Sequence, residues 1–192
     1  DRHSPASEAA IALMLALARD LPFARSLANS AAVFAFPGAH GDWVRPGLAL
    51  YGVSPFAGTH GASLGLVPAM RLLSTVISLR DVPAGQTVGY GGAWRAARDS
   101  RIAIVAAGYG DGLPWSLSRD ATVLVNGKLL PLAGRVSMDM IAVDITGSPV
   151  RIGDEVLLWG PELPVEAQAR AAGTIPWELL CAVSQRVPLQ VT

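Results

Sequence analysis

The chain has 192 residues, half of them hydrophobic and only 16% charged, with fifteen basic and fifteen acidic residues and a formal net charge of zero. Such a chain lacks the basic face expected of a nucleic-acid binder. Its longest apolar run, Ala9 to Ala18, has about half the length a bilayer requires and the length of a buried helix.

Cys181 is the only cysteine, so no internal disulfide can form. With no secretory signal visible, a reducing, cytoplasmic setting is expected. His3, His40 and His60 show no metal-ligand spacing, so no metal site is expected. Fourteen arginines accompany one lysine, Lys128. Chemistry that needs a lysine amine therefore has a single candidate here.

Ser4-Pro5 ahead of an alanine-rich run predicts a helix with serine as N-cap and proline in its first turn. Ile11, Met14, Leu15 and Ala18 share a face, and Pro22 ends the element. Arg25 to Ser30 predicts a short strand and Ala31 to Phe36 a short helix. Trp43 to Gly52 predicts another strand, interrupted by Arg45-Pro46-Gly47. This alternation is the pattern of an α/β layer.

A Gly/Ala/Ser-rich loop, Gly58 to Gly65, then marks a boundary, giving domains 1–65 and 66–192. Strands are expected at Leu72–Val82, Arg101–Ala107, Val136–Ile145 and Glu155–Trp159. Ala121 to Leu130 holds the hairpin signal Asn126-Gly127, which puts Lys128 in solvent beside a turn. This part reads as a small barrel or sandwich, followed by a helix at Val165–Ala172 and a last element opened by Pro176. The first part is too short to close on itself, because a (β/α)8 barrel needs about 200 residues or more.

Tyr90 lies among three glycines in Val88-Gly89-Tyr90-Gly91-Gly92, where the backbone can turn with positive φ and approach a ligand closely. Three more glycine- or arginine-bearing motifs stand in order with it: Val44 to Gly52, Gly108-Tyr109-Gly110-Asp111-Gly112, and Gly134-Arg135-Val136-Ser137-Met138-Asp139. Together with Asn29-Ser30-Ala31 and Arg186-Val187-Pro188 they resemble alanine racemase over nearly the whole chain. The resemblance implies the last units of a (β/α)8 barrel followed by a C-terminal β-barrel-like domain. It also implies pyridoxal 5'-phosphate as cofactor, an amino acid substrate, and a homodimer with shared active sites. The role implied is interconversion of L- and D-alanine, with D-alanine supplied to peptidoglycan.

On the matching positions, Tyr90 is implied as the catalytic base on one face of the substrate, opposite a lysine on the other. That lysine belongs to an early barrel segment outside these residues, so the chain alone is expected to be inactive. Arg45 is implied to face the pyridine nitrogen of the cofactor, and an arginine only donates there. Ser30 and the backbone of Gly47 and Leu48 match the phosphate cradle. Trp177 stands where the family brings a tyrosine hydroxyl to the phosphate; an indole has one N–H and a different reach. Met138 and Asp139 match the loop that meets the substrate carboxylate, and Tyr109 a second tyrosine at the entrance. Arg135 is a candidate ion-pair partner of Asp139 or of Asp111.

Two other readings share parts of this pattern. One is a non-catalytic β module for dimerisation or regulation. The other is a related barrel decarboxylase, which would carry Cys-Asp where this chain has Met138-Asp139. The joint presence of Tyr90, Arg45 and Ser30 argues against the module, and Cys181, which lies elsewhere, argues against the decarboxylase.

Overall fold

The computed structural model describes residues 4–117 and 120–191, so His3 lies outside the described residues. The chain divides into two compact units, Asp1–Ala69 and Met70–Thr192.

In the first unit, α1 (Pro5–Leu17) starts at Ser4 with proline in its first turn, as the sequence predicts. It is not a buried helix: none of its residues is buried, and Leu13 and Leu17 are 60% and 66% exposed. An apolar stripe is buried only where another apolar surface meets it, and among the described residues this one is covered only in part, at Ile11 and Leu15. Then come α2 (Ser30–Ala35), capped by the Asn29 side chain on the Ala32 N–H, and α3 (Gly47–Leu50).

The two strands expected around α2 do not form. Their remnant is one parallel bridge, Asn29 with Arg45, carried by the Arg45 N–H on the Ala28 carbonyl at 2.8 Å. Pro46 explains why pairing stops there. It has no N–H to extend a ladder, and the chain turns into α3 in place of the expected strand through Gly52. The order of chain is still bridge, helix, bridge, an α/β unit reduced to its minimum.

The second unit is an antiparallel barrel. Its strands are β1 (Leu72–Val82), β2 (Thr87–Val88), β3 (Trp94–Arg95), β4 (Ser100–Val105), β5 (Thr122–Val125), β6 (Lys128–Pro131), β7 (Ile141–Asp144) and β8 (Glu155–Trp159). Six of them form one sheet in the order β6-β5-β8-β1-β4-β7. The Leu132–Val143 bridge then brings the two edge strands together. The sheet is thereby nearly closed, which leaves little edge to pair wrongly.

β1 makes the corner. It pairs with β8 through Leu72–Thr75 and with β4 through Val76–Val82, with a register shift between Val76 and Ser78. Such an irregularity bends a strand and increases its twist. Val76, Ile102, Val105, Val123, Val125, Ile141, Val143, Val156 and Trp159 are fully buried and form the core. Helix α4 (Val165–Ala172) lies against β8 and β5, where Gln168 donates to the Leu158 and Thr122 carbonyls. Helix α5 (Pro176–Ala182) buries Leu179.

Asn126 and Gly127 turn the β5–β6 hairpin with φ of 49° and 74°, the left-handed pair that a type I′ turn demands. Lys128 follows the turn and is exposed, as expected. The turn is tied down by Asp154, which accepts from the Arg151 N–H (2.9 Å) and the Asn126 side-chain amide (2.7 Å). Those bonds, the backbone one foremost, hold the Asp154 carboxyl below its ordinary value.

A carboxylate depressed on folding adds stability that is complete above its unfolded pKa, about 4, and is lost as pH falls through the folded value. Asp154→Asn is therefore expected to lower the urea midpoint at neutral pH. The gap to the unaltered protein should narrow as pH is taken down toward the folded value. A gap that stays constant or widens in acid would contradict this linkage.

Candidate active site

The first unit brings Ser30, Arg45, Gly47 and Leu48 to one end of its α/β remnant, around the bridge and the starts of α2 and α3. Ser30 is buried, and its Oγ accepts from the Ala49 N–H at 3.2 Å. An oxygen that accepts in this way keeps its own proton to donate. The Gly47 and Leu48 N–H groups have no hydrogen-bond partner among the described residues, and a Cβ built on Gly47 would meet nothing within 4 Å. The start of α3 therefore offers open donors.

The Arg45 guanidinium is aimed by Ser26, whose carbonyl and hydroxyl both receive Nη1, at 2.5 and 2.7 Å. Nothing in the sequence about an isolated serine in Arg25-Ser26-Leu27 announces a partner nineteen residues away.

In the second unit, β2 and β3 form a two-stranded ribbon whose tip is the Tyr90 turn. Gly89 sits at φ 79°, ψ 176°, a conformation closed to side-chain-bearing residues. Its Cα side faces the backbone of Gly134 and Arg135, with an added Cβ 3.4 Å from the Arg135 nitrogen. Backed in this way, Tyr90 projects outward. It is 74% exposed, and its hydroxyl makes no hydrogen bond among the described residues.

A second turn, Gly108 to Gly112, lies against the same connection a few residues on. The Tyr109 N–H donates to the Ser137 carbonyl (2.9 Å) and the Gly110 N–H to the Met138 carbonyl (2.8 Å). Residues 134–139 are thus one strap behind two tyrosine turns. Tyr109 and Met138 are about half exposed, and the Met138 N–H has no partner among the described residues.

Asp139 does not pair with Arg135, and neither does Asp111. Arg186 takes both, with Nη2 donating to Asp139 Oδ1 at 2.6 Å and Nε lying 3.6 Å from Asp111 Oδ1. The Asp139 hydrogen bond, then the Asp111 charge, raise the Arg186 pKa. Arg135 instead stands over the Trp115 ring, 5.4 Å from its centroid, within cation–π range. Trp177 is part-exposed on α5. Cys181 is free and exposed on that helix. Among the described residues no group of three or more His, Cys, Asp or Glu side chains could hold a metal ion, and no helix is long and apolar enough to cross a membrane.

Residues 69–191 match the family described as alanine racemase, C-terminal domain, and residues 1–55 the family described as alanine racemase, N-terminal domain. The alanine racemase of Shewanella amazonensis is 51% identical over 173 residues, which are 90% of this chain and 48% of that protein. That of Legionella pneumophila is 53% identical over 164 residues, 85% and 46% respectively. The chain thus spans about half the length of the curated relatives it matches.

Among solved structures, the biosynthetic alanine racemase from Pseudomonas aeruginosa matches with a TM-score of 0.91 at 51% identity, over 97% of this chain and 52% of its own. The alanine racemase from Bartonella henselae, with covalently bound pyridoxal phosphate, matches with a TM-score of 0.85 at 35% identity, over 97% and 52%.

Proposed function

The chain belongs to the alanine racemase family, and from that premise we propose that it supplies the C-terminal share of a pyridoxal-phosphate enzyme interconverting L- and D-alanine. The cofactor, when bound, draws electrons from the substrate Cα and makes its C–H acidic. The observation that carries the reading is the strap at 134–139, which backs an outward, unbonded Tyr90 hydroxyl and also presents an unbonded Met138 N–H. One can move a proton; the other can receive a carboxylate.

The donors of the first unit fit the cofactor. The Ser30 hydroxyl and the Gly47 and Leu48 N–H groups are a donor set suited to a phosphate dianion. Arg45, held by Ser26, would donate toward the pyridine nitrogen of the cofactor. A guanidinium gives up no proton to that nitrogen, so the bound ring would be a weaker electron sink than an aspartate would make it. Trp177, in the second unit, stands where the family has a tyrosine hydroxyl, and its indole has one N–H to donate.

In the second unit, Tyr90 exchanges a proton with one face of the substrate Cα, and a lysine outside these residues serves the other face. Two groups are needed because a single base returns the proton to the side it left. The Met138 N–H orients the substrate carboxylate, with Asp139 beside it and Tyr109 lining the entrance. These groups serve the site of the partner subunit in a homodimer. The product is D-alanine for peptidoglycan, made in the cytoplasm.

The test compares the full-length protein with the 192-residue chain, both incubated with pyridoxal phosphate and reduced with borohydride. The full-length protein is expected to racemise alanine in both directions and to carry a pyridoxyl label on a lysine outside this chain. The chain alone should do neither. Racemisation accompanied by stoichiometric labelling of Lys128 would overturn the assignment.

A further inference from the structure

Asp139 poses an electrostatic problem. A carboxylate next to the N–H that receives the substrate carboxylate repels that substrate, unless its charge is balanced on the spot. The structure balances it with Arg186, whose Nη2 lies 2.6 Å from Asp139 Oδ1.

The same guanidinium reaches the Tyr109 turn. Its Nε is 3.6 Å from Asp111 Oδ1, and Asp111 Oδ2 accepts the Gly108 N–H at 2.9 Å. The segment that carries Arg186 is itself fastened to the turn. Ser184 Oγ donates to the Gly110 carbonyl at 2.9 Å, and the Ser184 N–H donates to the Asp111 carbonyl at 3.1 Å. Gly110 leaves the space the guanidinium occupies, since a Cβ there would run into Arg186 Nη1. One arginine thus joins three stretches of chain: the turn at 108–112, the strap at 134–139 and the segment after α5.

We propose that Arg186 is a positioning residue for substrate binding: it neutralises Asp139 and locks the Tyr109 turn to the strap, so that the Met138 N–H is held and electrostatically open for the substrate carboxylate. The inference rests on the racemase reading. Magnitudes favour this role over a stabilising one. The Arg186 side chain is half exposed, and ion pairs in that setting contribute little to folding. An unpaired charge beside an anion-binding donor acts on every substrate molecule that arrives.

The experiment uses the full-length, cofactor-loaded protein. Arg186→Ala should raise KM for alanine, and weaken binding of propionate, by about ten-fold, the effect of losing one charge-assisted contact. It should change kcat by less than about three-fold and the thermal midpoint little. Arg186→Lys should fall between, because an ammonium is a point charge without the fork that spans two carboxylates.

The decisive variant removes the charge left behind. Asp139→Asn placed on Arg186→Ala should recover most of the lost propionate affinity, and the single variant's KM should fall as salt is raised. Unchanged KM in Arg186→Ala, or no recovery in the double variant, overturns the proposal. Should Arg186→Ala not fold, Arg186→Gln carries the same expectations. A full-length protein with no racemase activity would sink the racemase reading itself; an active one indifferent to Arg186 would sink only this inference.

Discussion

Tyr90→Phe in the full-length protein is expected to lower racemisation by about 10³-fold, within the range that a positioned proton-transfer group contributes. The substitution removes one oxygen from a side chain that is already exposed and unbonded, so folding should be untouched. Racemisation must fall equally in both directions, because the equilibrium between enantiomers is not the enzyme's to set. Exchange of the Cα proton with deuterated solvent separates the faces. It should persist on the enantiomer served by the lysine and vanish on the one served by Tyr90. Equal, mild losses for both enantiomers would remove Tyr90 from the role of base.

The proposed sharing of sites between subunits makes a further demand on the same variant. Subunits carrying Tyr90→Phe, mixed and reassembled with subunits lacking the cofactor lysine, should regain activity. Half of a random mixture is heterodimer, and each heterodimer holds one complete site of two. The yield expected is therefore about a quarter of the unaltered activity, by symmetry of a two-fold interface. No recovery after verified exchange of subunits would place Tyr90 in its own subunit's site.

The second large effect concerns Gly108→Ala. The φ of Gly108 is ordinary, so conformation is not the obstacle. Space is. An added Cβ falls well inside contact distance of the Ser137 and Met138 carbonyl oxygens, both backbone atoms. Those are the acceptors for Tyr109 and Gly110, so the turn cannot retreat without losing two hydrogen bonds.

Overpacking costs about 1–3 kcal/mol and two bonds about 1 kcal/mol each, so a loss of about 3 kcal/mol is expected. A loss of that size lowers the thermal midpoint by about 10 °C. Gly38→Ala is the control, since its Cβ would meet nothing within 4 Å and it should shift the midpoint by no more than a degree or two. Indistinguishable melting of the two variants would refute the packing argument.

Much of the barrel is legible in the sequence, for local reasons. Asn126-Gly127 can hardly be anything but a tight hairpin turn, Glu155–Trp159 is a compact apolar run, and Val165–Ala172 is a helix ended by Gly173 in the left-handed region. Each signal is complete within about ten residues.

What misleads is whatever depends on a distant surface. Trp43–Gly52 has the composition of a strand, yet a strand exists only if neighbours pair with it, and among the described residues no β-bridge continues beyond Arg45. The stripe of α1 has the pattern of a core helix and stays exposed. Arg135 is the nearer arginine in sequence to both Asp111 and Asp139, but Arg186, forty-seven residues beyond Asp139, holds them. Tyr90, Arg45 and Ser30 stand out through motifs read in order. Ser26 and Arg186 have roles defined only by folding.

The strap at 134–139 has one more property. It lies between Leu132 and Val143, the pair that closes the barrel, and Ala133 donates across that seam to Ala142 at 2.8 Å. Topologically, then, the strap is the loop of a β-hairpin. Its ends are pinned by the wall of the barrel, and within it Val136 is buried in the core while Met138 and Asp139 are exposed. The exposed positions of the loop thus stand apart from those that, with Leu132 and Val143, seal the core. On the proposed role of the Met138 N–H, such a layout would let the exposed positions be retuned toward another carboxylate while the buried ones go on holding the fold.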